Sequence, residues 1–119
     1  MPYNLYLTDP ATKKTIQFSQ PHFMTGGTYE IGGTSKAWLN ITYNYSYHFY
    51  RVIDQEKGIR KIYGMTGAES IPMLKQAISK LRDDISDNYY EATEGNAKQA
   101  LQHLLALAKM RPDGIWGGD

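Results

Sequence analysis

The sequence predicts an α+β fold: an antiparallel sheet of three to four strands with two C-terminal helices packed on one face. Three observations carry that prediction. The stretch KAWLNITYNYSYHF (36–49) alternates apolar and polar residues, with Ala37, Leu39, Ile41, Tyr43, Tyr45, Tyr47 and Phe49 on one face. Period-two alternation over this length marks a strand with one buried face. Beyond residue 70 the period changes to three and four, the spacing of amphipathic helices. Strands come first and helices second, which favours α+β over a doubly wound sheet.

The central strand is expected over Lys36 to Asn44, with Leu39 and Ile41 in the core. After Tyr45 the pattern fits either continued strand or a short helix. Tyr3 to Thr8 alternates in the same way and predicts a first strand. Asp9-Pro10-Ala11-Thr12 then turns the chain, since Pro10 presets φ. Thr15 to Ser19 is expected to return as the second strand of a hairpin. Gln20 to Gly27 reads as a loop, Thr28 to Ile31 as a short strand, and Gly32-Gly33 as the turn into the central strand.

Tyr50 to Ile53 is apolar enough to touch the core, and Asp54 to Gly58 reads as a charged loop. Between Gly58 and Gly67 there is room for one helical turn or an irregular loop. A first helix is expected with Ser70 as N-cap and Pro72 in its first turn. Its apolar stripe is Ile71, Leu74, Ala77, Ile78, Leu81 and Ile85, ended by Asp83, Asp84, Ser86, Asp87 and Asn88. A second helix, capped by Thr93 or Asn96, runs to about Met110 and buries Ala97, Ala100, Leu101, Leu104, Leu105 and Ala108. Pro112-Asp113-Gly114 closes it, and the tail 115–119 folds back or hangs free.

A chain of 119 residues is expected to form a single domain over 1–119 with a core that needs no staples. It has no cysteine, which excludes disulfides and thiolate metal sites and suits a reducing compartment. With 13 basic and 12 acidic residues the formal charge is +1. That balance argues against a highly charged nucleic-acid mimic and a strongly basic DNA binder. No signal peptide or membrane span is visible. The ten tyrosines suit either a binding surface or a half-buried sheet.

Gly26-Gly27 and Gly32-Gly33 flank one short segment, and bare backbone there could approach phosphate oxygens. Neither pair is a Walker loop or a dinucleotide fingerprint, and hairpin turns use Gly-Gly as readily. The polar strand face offers Asn40, Asn44 and His48, with Tyr29 and Tyr43 as stacking candidates and Arg51 and Arg60 to offset phosphate charge. The candidate ligand-binding set is therefore Gly26, Gly27, Tyr29, Gly33, Asn40, Tyr43, Asn44, His48, Arg51 and Arg60. His22, His48 and His103 show no metal spacing, and the paired His-x-Thr/Ser motif of two-histidine phosphoesterases is missing. A nucleophile–base pair such as Ser46 with His48 is also considered, though adjacent same-face residues on a strand are common. No cofactor is expected.

The blocks MTGGTYEIGGTSKAWLNITYNYS (24–46), GIRKIYGMTGAESIP (58–72) and ATEGNAKQALQHLLALAKMRPDGIWGGD (92–119) resemble a family of small proteins of phages and prophages of gut Firmicutes. The resemblance covers nearly the whole chain and carries no catalytic or binding residue with it. Some relatives carry an insertion after the NYS block, which implies a surface loop after Ser46. By analogy with small phage proteins such as anti-CRISPR inhibitors, the resemblance implies a protein that antagonises a host-defence component by binding it. The alternative is a nucleotide-binding module that sequesters a cyclic nucleotide defence signal, and a small hydrolase using His22 or His48 is the third reading. The expected setting is the cytoplasm of the infected host, with a defence protein or nucleotide signal as partner. Neither a membrane nor nucleic acid is expected as main ligand, and the Tyr-rich strand face would also suit a homodimer contact.

Overall fold

The computed structural model describes residues 2–22 and 34–119. The fold is α+β. A three-stranded antiparallel sheet has the order β4 (Trp38–Thr42), β1 (Pro2–Thr8), β5 (Ile115–Gly118). A second, two-stranded sheet pairs β2 (Gln17–His22) with β3 (Thr34–Lys36). The helices are α1 (Ser46–Val52), α2 (Gly67–Ser79) and α3 (Glu94–Met110).

The alternation at 36–49 sets the face of β4 as expected: Ala37, Leu39 and Ile41 are buried. Its position differs. β4 pairs only with β1 in this sheet and forms an edge, while β1 is the centre. The strand also ends at Thr42, where Tyr43–Tyr45 makes a 3-10 turn and α1 begins at Ser46. Tyr45 and Phe49 thus reach the core as an i, i+4 helical pair, ring centroids 6.3 Å apart, and not as alternate strand residues. A helix that starts at Ser46 also replaces the surface loop implied there.

Tyr3, Leu5 and Leu7 form the buried face of β1. The Asp9 turn forms, with the Asp9 carboxylate accepting from the amides of Ala11 and Thr12 at 2.8 and 3.3 Å. The expected hairpin does not continue. Residue 15 bridges Thr8, after which β2 leaves β1 to pair with β3.

In α2 the cap is Thr66, not Ser70. Thr66 Oγ1 accepts from the Glu69 amide and Glu69 Oε1 accepts from the Thr66 amide, a reciprocal capping box. Gly67 is needed because a Cβ there would stand 2.8 Å from the Arg111 carbonyl oxygen, at the end of α3. Ser70 instead lies buried in the helix, donating to the Gly67 carbonyl. The helix ends at Ser79, so Leu81 is buried from the following loop and Ile85 stands in solvent. Of the two candidate caps, Thr93 caps α3, its Oγ1 accepting from the Asn96 amide at 3.0 Å. The tail is ordered as β5, paired with β1 and tied on its other side to Gly64 and Met65.

Candidate functional site

The turn at Thr42 puts Asn44, Tyr47, His48 and Arg51 on one helical face, because residues three and four apart stack along α1. That face lies along the segment 90–94. Asn44 Nδ2 donates to the Tyr90 carbonyl at 2.9 Å. His48 Nε2 donates to the Ala92 carbonyl at 2.8 Å, since a carbonyl can only accept. Arg51 Nη2 lies 3.6 Å from Glu94 Oε1 and 3.4 Å from His48 Nδ1, which acts as its acceptor. The two strips therefore run side by side in the same direction.

The loop between α2 and α3 is pinned from inside by Asn96, which is only 4% exposed. Its Nδ2 donates to the carbonyls of Asn88 and Glu91, and its Oδ1 accepts from the Ser86 amide. Asp84 Oδ1 accepts from the Gly95 amide at 3.0 Å, and Ser86 Oγ donates to Glu91 Oε2 at 2.6 Å. Gly95 must be glycine, since a Cβ would come within 2.5 Å of the Asp84 carbonyl carbon. On the strand side the Tyr89 hydroxyl accepts from the Thr42 amide, and Tyr45 donates to the Tyr89 carbonyl. Burial pushes the Tyr89 hydroxyl up to about 12, the Thr42 amide opposing. Burial and then Tyr89 push Tyr45 higher still.

Outside this framework stand large apolar and aromatic side chains, beside the exposed carboxylates of Asp84, Asp87 and Glu91. Tyr47 is 70%, Ile85 61% and Tyr90 57% exposed, although the backbone beneath them is bonded at most positions. Large exposed aromatic and apolar side chains on a fixed backbone are what a protein-binding surface requires.

A second group centres on Arg60, in the 3-10 turn Gly58–Ile62. Its guanidinium lies 4.8 Å over the Tyr3 ring, within 3.3 Å of the Tyr43 hydroxyl, and Nε donates to the Asp119 main-chain oxygen at 3.1 Å. Tyr63 also donates to that oxygen, and burial pushes its hydroxyl up to about 12 against the pull of Arg60. The Asp119 carboxylate accepts from the Asn4 amide and Nδ2, while Asn40 Nδ2 donates to Asn4 Oδ1 at 2.8 Å.

The candidate ligand-binding residues thus fall into two sets. Asn44, His48 and Arg51 share the α1 face, whereas Asn40, Tyr43 and Arg60 surround the tail. Gly26, Gly27, Tyr29 and Gly33 lie outside the described residues. Ser46 does not serve His48: its hydroxyl donates to the Tyr43 carbonyl and accepts from Tyr3. Among the described residues, no group of three His, Cys, Asp or Glu could hold a metal, and no helix is long and apolar enough to cross a membrane. Protein-family models, curated proteins and solved structures give no match to this chain.

Ile85, Tyr89, Tyr90 and Asn96 escaped the sequence reading as site residues. One signal was available: residues 83–94 carry five acids and no Lys or Arg, without helical period.

Proposed function

We propose that this is a non-enzymatic phage protein that binds a host-defence protein and blocks it. The blocks 24–46, 58–72 and 92–119 that resemble phage and prophage proteins support the setting. The observation that carries the binding mode is the α1–loop surface. Asn44, His48 and Asn96 hold the backbone from inside, while Tyr47, Ile85 and Tyr90 stand exposed. Such a surface loses little conformational entropy on docking, which is how preorganised binders gain affinity.

The test is expression of the chain in bacteria carrying defined nuclease-based defence systems, followed by phage plating and purification. The reading expects restored plating against one system and a stoichiometric complex with one of its proteins. Turnover of a defined substrate by folded protein would replace it with the enzyme reading. Heat on titration with cyclic nucleotides would replace it with the signal-sequestering one.

A further inference from the structure

We propose that the loop 84–91, flanked by Tyr47, is the docking element and that its partner presents a Lys/Arg-lined protein surface. This rests on the protein-binding reading and names the chemistry of the partner at that site. Ile85 and Tyr90 stand on a loop whose amides and carbonyls are tied down by Asn96, Asn88 and Asn44, so the two anchors are displayed at fixed positions. Tyr47 belongs to the same surface, because its ring lies 5.5 Å from that of His48, which is bonded to Ala92.

Charge selects the occupant. Internal pairing neutralises part of the surface: Arg51 and Arg82 both lie against Glu94, and Lys98 holds Asp83 at 2.6 Å. Among the described residues, Asp84, Asp87 and Glu91 then have no cation beside them. Asp84 accepts an amide and Glu91 a hydroxyl, neither of which supplies a positive charge. A partner that covered Ile85 and Tyr90 with acidic or neutral groups would bury these carboxylates uncompensated, which is strongly unfavourable. A basic surface compensates them and speeds encounter.

The probe is a synthetic amphipathic Leu/Lys peptide, with its Leu/Glu counterpart as control, titrated into the full chain and followed by amide chemical shifts. Shifts concentrated on residues 84–91 and Tyr47, absent with the Leu/Glu peptide and weakened by salt, are expected. Asp87→Lys and Tyr90→Ala should each weaken the Leu/Lys peptide by roughly tenfold while leaving the rest of the spectrum in place. Shifts centred on another acidic region, such as Asp9 and Asp113, would overturn the proposal. So would equal binding of both peptides, or no binding of the Leu/Lys peptide. The same variants in the plating assay separate the two readings. If the peptide maps to the loop but wild type protects no phage, the functional reading fails and the docking chemistry stands. If wild type protects and Asp87→Lys with Tyr90→Ala protects equally, the docking loop is the part that fails.

Discussion

The indole Nε1 of Trp116 donates a 2.8 Å hydrogen bond to the hydroxyl of Ser70, with both residues buried. The contact ties the tail strand β5 to the start of α2 across 46 positions of sequence. Ser70→Ala removes the acceptor and leaves a buried N–H without a partner. The expected cost is about 1–3 kcal/mol, despite the higher helix propensity of alanine. Denaturant unfolding of Ser70→Ala, Trp116→Phe and the double variant would check it. Strictly additive losses would contradict a direct coupling.

Two isoleucines that a periodicity reading treats alike should behave differently. Ile41 is fully buried in β4, and Ile41→Ala should cost about 2–5 kcal/mol. Ile85 is 61% exposed, so Ile85→Ala should change stability by no more than about 0.5 kcal/mol. Comparable losses at both sites, measured by denaturant midpoint, would mean that residue 85 is covered.

His48 should act on the loop more than on the fold. His48→Ala removes the donor to the Ala92 carbonyl while Asn44 and Asn96 remain. Amide exchange in 88–93 should accelerate by about tenfold with far smaller changes in β1. Exchange that speeds up everywhere would show that the ring holds the core.

Acid should weaken the junction of Arg111 with Asp9 and Asp113. The Asp9 carboxylate is held below its usual range first by the Ala11 amide and then by Arg111, and Asp113 by Arg111. A carboxylate with a lowered folded pKa contributes stability above the unfolded value of 3.8, and that contribution is lost as pH falls through the folded value. Arg111→Met should therefore lower the plateau slightly and flatten the acid limb of the midpoint-against-pH curve. An unchanged acid limb would sever the link.

Base should act through the tyrosines. Tyr63 and Tyr89 are both raised to about 12 from 10.0, chiefly by burial. A raised folded pKa gives stability that is present below pH 10.0 and is lost as pH rises toward 12. Tyr63→Phe should reduce that alkaline loss, and an absorbance titration should show one fewer late-ionising phenol. A titration that keeps every late phenol in this variant would disprove the assignment.

The sequence by itself determined the fold class, the buried sides of β1 and β4, the turn at Asp9 and most of the stripe of α3, in which Leu107 and not Leu105 is buried. Each rests on local periodicity or on side chains that bond their own backbone, and both act within a few residues. Only the tertiary structure decided that β4 lies at an edge, that β2 leaves its hairpin, and that the tail is a strand. Strand neighbours are chosen by distant contacts, such as Leu7 with Trp116. It also decided where the first long helix stops, since Leu81 is buried two residues past its end and mimics a continuing stripe. Of the candidate site, Asn44 and His48 were legible as polar residues of one strand face, but in a strand Arg51 would have pointed to the opposite side. Their alignment with Tyr90, Ala92 and Glu94 exists because a 3-10 turn converts alternation into helical spacing at Tyr43. The loop they hold has no period of its own, so its rigidity comes from Asn96 and from contacts more than forty residues away in sequence.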